Sequence, residues 1–356
     1  MRNLLAGLAG LTLVGCAAAD VGSQPVADTV AAQTPAGDDG VWRFDDHADD
    51  LRKASCPSGV SFQRAQALEI VAEAIDKGPE AIQADDLPGL VFAGAWQLSA
   101  EDANFGGLSG LAQMRSGTLL AINDAGAFVW IGIDEASGAP DGVGAIGYML
   151  DRDGKQFARK VAADSEGLVL RDGLALVSFE QRHRVEAFDL ESCGTAARAA
   201  PVVEFPLVID GKKVPDNRGA EALAMDDQGV LWAGFEYRMT EGSPLGRVRA
   251  DGTLDQLAYA GQPGLYLQTG ADIRDGRRAS LYRAYDPFRG ARIIIEISGG
   301  EQEPIRAELK PPLPVDNFEG VAWGHAPDGG ARLWLIADDN FNPTQRTLLF
   351  ALDLVP

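Results

Sequence analysis

The chain has 356 residues, beyond the roughly 250–300 at which one compact core usually stops growing, so one large domain with appendages or two small domains fit. Hydrophobic residues make up 46% and charged residues 23%, with 42 Gly and 19 Pro, which excludes a chain disordered throughout and indicates many turns. The formal charge of -21, from 31 Lys+Arg against 52 Asp+Glu, excludes general binding to nucleic acid, and His47, His183 and His325 are too scattered for a histidine-based metal site. The abundant carboxylates suit a hard cation such as Ca2+.

Met1-Arg2-Asn3 is a short positive start, and the apolar stretch from Leu4 to Val14 is too short to span a bilayer as a permanent helix. It ends in Leu13-Val14-Gly15-Cys16, which resembles a bacterial lipobox. The expectation is a signal peptide at 1–15 and Cys16 as the lipid-modified first residue of the mature chain. The alternative is a secretory signal cut near Ala17-Ala18-Ala19. Ala17, where an Asp would retain such a lipoprotein at the inner membrane, implies an outer-membrane anchor facing the periplasm. Residues 16–40, rich in Ala, Pro, Thr and Asp, read as a flexible tether with a reach of roughly 25–30 Å.

In an exported protein Cys56 and Cys193 are expected to form a disulfide; two buried free thiols are the alternative. A helix is predicted after Ser61, with Phe62, Ala65, Leu68, Val71, Ala72 and Ile75 at helical spacing and Gly78-Pro79 as its stop. Residues 41–87 therefore read as an N-terminal helical cap on a main domain at 88–356.

From residue 105 onward a small or acidic residue, then Gly or Ala, then a branched apolar residue recurs: Ser109-Gly110-Leu111, Glu166-Gly167-Leu168, Glu221-Ala222-Leu223, a degenerate Asp272-Ile273, and Glu319-Gly320-Val321. The spacings are 57, 55, 51 and 47 residues, and each motif is followed by a Gly- or Asp-containing turn and a second apolar run. Third and fourth strands follow in most units, such as Arg184 to Leu190 with Val202 to Leu207, and Arg292 to Ile297 with Ile305 to Leu309. Four antiparallel strands per repeat with no intervening helix describe an all-β fold, a β-propeller. The count is five blades, or six if a degenerate blade hides in the long first unit. The last unit, ending with Thr347 to Leu354, lacks a strand, which Leu90 to Leu98 would supply to close the ring.

A second polar residue follows each motif: Asp124 after Ser109, Glu180 after Glu166, Glu236 after Glu221, Asp338 and Asp339 after Glu319. A hairpin returns to the end where it began, so these carboxylates crowd one mouth of the channel. Like charges there raise one another's pKa and demand counter-charge. The sequence offers Arg182, Arg184, Arg218 and Arg283, or a Ca2+ bound by the acidic oxygens. Locking of the ring through backbone amides is the other use of such residues.

The stretches Phe105-Gly106-Gly107-Leu108-Ser109-Gly110-Leu111, Asn123-Asp124, Asp164-Ser165-Glu166-Gly167-Leu168, Ser178-Phe179-Glu180, Asn217-Arg218-Gly219-Ala220-Glu221, Asn317-Phe318-Glu319-Gly320 and Asp338-Asp339-Asn340-Phe341 occur in order. In them the chain resembles the phytase-like proteins of the "esterase-like activity of phytase" family over about residues 88–356. The resemblance implies a propeller and Ca2+-assisted hydrolysis of an ester or phosphoester. Where the family usually reads Leu-Glu-Arg, this chain has Leu281-Tyr282-Arg283, which puts a metal-binding role for that blade in doubt.

Gly142-Val143-Gly144-Ala145-Ile146-Gly147 matches a dinucleotide fingerprint, but no buried strand precedes it and a turn, Asp151-Arg152-Asp153-Gly154, falls where the helix should run. No GxSxG elbow is present, and Ser109 has no identifiable His partner. His183 is the one histidine near the motif ring, an acid or base if not an ordinary strand residue. The expectation is a monomeric, envelope-anchored hydrolase of a small ester or phosphoester. Glu166, Glu180, Arg182, Arg218, Glu221 and Arg283 would do the chemistry, and Asp124, Glu236, Glu319, Asp338 and Asp339 would hold Ca2+. A non-catalytic ligand- or partner-binding propeller is the alternative.

Overall fold

The computed structural model describes residues 39–355 apart from 77–86, 158–159, 207, 240, 261–265, 287, 289 and 301–302. The expected export signal with Cys16, most of the expected tether and the expected helix stop at Gly78-Pro79 lie outside the described residues.

Five antiparallel sheets form a ring of five blades, and their inner strands touch in the cyclic order of the chain. Those inner strands are Leu108–Gln113, Ser165–Arg171, Ala222–Met225, Leu267–Arg274 and Asn317–His325. Each pairs with the next strand of its own hairpin, and successive strands step outward. The last blade is completed by Leu90–Ser99, which pairs with Leu348–Leu354, so the two ends of the domain close the ring as the sequence predicted. Apolar side chains between the blades form the core, with Leu108, Phe179, Phe235, Phe318 and Trp334 wholly buried.

The repeated glycine has a steric cause. A Cβ on Gly320 would come within 2.7 Å of the Ser109 carbonyl oxygen, and one on Gly167 within 2.9 Å of that of Glu221. The inner strands of neighbouring blades approach so closely that only a residue without a side chain fits there. The residue before the glycine bulges out of the ladder: pairing shifts between Leu108 and Gly110, Ser165 and Leu168, Gln268 and Gly270, and Phe318 and Gly320. In the fourth blade the motif is therefore Thr269-Gly270-Ala271, not Asp272-Ile273. Asp272 lies further along the strand, where its carboxylate accepts the Trp323 amide of the fifth blade at 2.7 Å.

The helix expected from Ser61 is two strands. Gln66–Glu69 adds to the outer edge of the first blade and Val71–Ala74 to that of the fifth. Open edges offered backbone partners, and as strands the segment buries Ile70 while Phe62 and Val71 stay 56% and 49% exposed. The helix of this segment is instead α1 (Phe44–Ser55), with Asp45 and Asp46 in its first turn and Arg52 and Lys53 in its last, matching the helix dipole. Phe44 and Leu51 pack between the second and third blades. Cys56 follows directly and is disulfide-bonded to Cys193 of the second blade, with a Cα–Cα distance of 5.7 Å. A short helix, α2 (Lys160–Ala163), leads into the second blade. The Gly142 to Gly147 stretch lies in the strand Pro140–Tyr148, and a turn at Arg152-Asp153 follows it where a crossover helix would begin.

Candidate functional site at the channel mouth

The hairpin registers turn the two residues of each motif toward one end of the ring. At the mouth end of the inner strands stand Ser109, Glu166, Glu221, Thr269 and Glu319, all but Glu221 at a bulge. At the matching ends of the second strands stand Asp124, Glu180, Glu236, Arg283 and Asp338, as the pairings Leu108 with Asn123, Ser165 with Phe179, Ala222 with Gly234, Leu267 with Arg283 and Asn317 with Asp338 require. The other four blades thus present a carboxylate where the fourth presents a guanidinium. Between the inner strands the channel narrows to a cavity of about 10 Å3 lined by Ser109, Glu166, Glu221 and Glu319, room for one species the size of water.

Arg283 neutralises one side of the mouth. Its guanidinium donates to Glu236 Oε1 at 2.8 Å and also to Glu319 Oε1 and Asn317 Oδ1. Arg218 binds the other oxygen of Glu236. Asn317 Nδ2 donates to Glu319 at 2.9 Å and to Asp338 at 3.4 Å. Although burial opposes its charge, the carboxylates Glu319, Glu236 and Glu221 raise the Arg283 pKa, so it stays cationic.

The other side is acidic. Asp164, Glu166 and Glu180 offer carboxylate oxygens that all lie within 4.8 Å of one another. Glu180 accepts the Gly219 amide at 3.2 Å and is pushed up to about 7, by burial first and then by Asp164. Burial followed by repulsion from neighbouring carboxylates raises Glu166 and Glu221 well above the usual range. Glu319 is raised by burial against the opposing pull of Arg283, and Asp338 is pushed up to about 8 by burial and Glu319. Oxygen-only donors at this spacing fit a hard divalent cation, which would relieve the repulsion that burial imposes.

Not every predicted residue joins the cluster. Arg182 is a correction: its guanidinium lies 3.9 Å from the exposed Glu204, because the turn at Gln181 (φ 61°) swings the side chain outward. Asp339 is held by the Gly107 amide at 2.8 Å, the Phe341 amide at 3.0 Å and the Thr347 hydroxyl at 2.9 Å, ties between the last blade and the loop entering the first. The Ser109 hydroxyl donates to the Ser165 carbonyl at 2.6 Å, an inter-blade lock that Ser165 and Ser178 repeat onto Asn123 and Ala220. His183 is buried against Phe235 with Nε2 3.2 Å from the Pro215 carbonyl, and burial lowers its pKa. Tyr282 is wholly buried with Leu245 and Ile294, so position 282 faces the inter-blade core while Arg283 faces the mouth. Sequence reasoning missed two residues of the site, Asp164 and Asn317; each stands two positions before a motif glutamate, in Asp-Ser-Glu and Asn-Phe-Glu, and that pattern was the available signal.

The fold and mouth define a class: a five-bladed propeller whose blades converge carboxylates and arginines on one channel opening. Within that class the family is shown by sequence, since the profile of the phytase-like family, esterase-like activity of phytase, matches residues 103–341. The chain belongs to that family. No curated protein matches it. Among solved structures it is similar to the PQQ-bound aldose sugar dehydrogenase of Streptomyces coelicolor, at 13% identity over 76% of this chain and 100% of that one, with a TM-score of 0.41. It is also similar to an endo-arabinase of Bacteroides thetaiotaomicron, at 11% identity over 71% and 95%, with a TM-score of 0.42.

Proposed function

We propose that the mouth hydrolyses an ester, a phosphoester or a carboxylic ester, with one Ca2+ held by Asp164, Glu166 and Glu180. The observation that carries this reading is the division of the mouth: an arginine-neutralised side at Glu236 and Glu319, and a cluster of three converging carboxylates opposite. Bound there, Ca2+ would supply Lewis-acid polarisation of a substrate oxygen. Arg218, whose side chain is 40% exposed, extends from Glu236 toward solvent and suits an anionic substrate group. Arg283, committed to two carboxylates, fixes their positions rather than binding substrate. Asp338, held near 8, carries a proton at neutral pH and can pass it to a leaving oxygen. The Leu13-Val14-Gly15-Cys16 context supports the further proposal that the enzyme is anchored through Cys16 at the outer membrane.

The test is hydrolysis of p-nitrophenyl phosphate and p-nitrophenyl acetate with added Ca2+ and with chelator, in wild type and Glu166→Gln. Activity that needs Ca2+ and is lost in the variant supports the reading. Turnover unaffected by chelator removes the cation from it, and no turnover in any condition favours a ligand-binding propeller.

A further inference from the structure

Most left-handed backbone in this fold falls on glycine or in tight polar turns, yet at the mouth two consecutive non-glycine residues adopt it: Asn340 (φ 51°) and Phe341 (φ 49°). Asparagine tolerates this region; a bulky aromatic residue is strained there. The strain is imposed by named contacts. Asp338 Oδ1 accepts the Asn340 amide at 2.5 Å, Asp339 Oδ1 accepts the Phe341 amide at 3.0 Å, and the Asn342 amide donates to the Asp339 carbonyl at 2.7 Å. Asp338 belongs to the mouth and Asp339 ties the last blade to the loop entering the first, so the loop is fixed at the edge of the site.

Position 341 does not use its ring to fill a core: Phe341 is 41% exposed. Its ring edge lies where a side chain on Gly107 would stand, 2.6 Å from that missing Cβ and beside the Asp124 carboxylate. The absence of a side chain at Gly107 (φ 61°) leaves the ring room at the rim. An apolar face kept exposed, in a backbone conformation it disfavours, beside a carboxylate of the site, is the pattern of a recognition residue maintained at the expense of stability.

We propose that Phe341 is a specificity-determining residue, a stacking platform for a flat or apolar ring of the substrate, so that the mouth prefers a ring-bearing ester or phosphoester to a small alkyl one. This rests on the ester-binding mouth proposed above. Ring stacking of this kind is worth about a two- to twelvefold preference in affinity.

The experiment measures calorimetric binding of phenylphosphonate and methylphosphonate, which cannot be hydrolysed, to the full chain in the presence of Ca2+. Wild type should bind phenylphosphonate about two- to twelvefold more tightly. Phe341→Asn, which suits the left-handed backbone, should erase that preference, leave methylphosphonate affinity unchanged and hold or raise Tm. Phe341→Tyr should retain the preference. Equal affinities in wild type, a preference that survives in Phe341→Asn, or a fall in Tm with loss of both ligands would overturn the proposal, the last by showing a packing role. Wild type that binds neither phosphonate also overturns it. Wild type that shows the preference yet turns over no ester keeps this inference and refutes the hydrolase reading.

Discussion

Replacing Arg283 by Met removes the guanidinium that lies between Glu236 and Glu319 while retaining most of the apolar stem. Glu236 is 6% and Glu319 8% exposed, so water cannot take over solvation of either carboxylate. Breaking a buried pair from one side costs about 3–5 kcal/mol, because the partner's charge is left uncompensated. Arg218 still reaches Glu236, which places the expected loss toward the lower end of that range at pH 7.5. Protons can substitute for the lost cation, so the loss should shrink at pH 5, where a carboxylate freed of its arginine binds a proton readily. Millimolar Ca2+ bound at Asp164, Glu166 and Glu180, across the mouth from Arg283, should stabilise wild type and variant alike, by about 2.7 kcal/mol at 100 times its dissociation constant, and leave the loss itself unchanged. Urea unfolding of wild type and Arg283→Met, at both pH values with chelator and with Ca2+, measures all three effects. A loss below about 1 kcal/mol at pH 7.5, the range of an exposed pair, or an equal loss at both pH values, would refute the reasoning.

Glu180, held near 7, and Asp338, held near 8, bind protons more tightly in the folded than in the unfolded state, where they titrate near 4.5 and 3.8. Their contribution to metal-free stability is therefore fully present at low pH and lost as pH rises through about 4 to 8, while Ca2+ binding strengthens over the same interval. Thermal unfolding with and without Ca2+ should show a larger calcium increment at pH 8 than at pH 5; a larger increment at pH 5 would contradict the assignment. Cys56→Ser opens a bridge across 137 residues of sequence and should lower stability by up to about 4–5 kcal/mol, read from urea midpoints. Cys16→Ser should move the protein from the membrane to the soluble fraction or leave it unprocessed, and unchanged fractionation would count against lipidation.

Much of the ring was legible because a propeller repeats its local chemistry. Glu-Gly-Leu or a close variant recurs because each inner strand needs a polar residue facing the channel and then a residue small enough for the neighbouring blade to pass, and both demands act within three positions of sequence. Hairpin geometry likewise carried Glu166 with Glu180 and Glu221 with Glu236 to one end, since an antiparallel return is a local property. The strand Leu90–Ser99 was identified by arithmetic, as the one needed to complete the last blade.

What only the tertiary structure decided were features in which distant groups compete. The residues after Ser61 have helical spacing, but the open edges of the first and fifth blades offered backbone partners, so they form strands. Phe44, Ala48 and Leu51 had such a groove between the second and third blades, and a weakly apolar, strongly charged segment became the helix. The sequence offers Arg182 and Arg283 alike as counter-charges, and nothing in it shows that Arg283 neutralises Glu236 and Glu319 while Arg182 turns toward Glu204. Patterning along a chain specifies which residues are strand, turn and channel-facing. Which charges neutralise which is set by distances across the ring, because electrostatic partners are chosen in space and local sequence carries no record of the blade opposite.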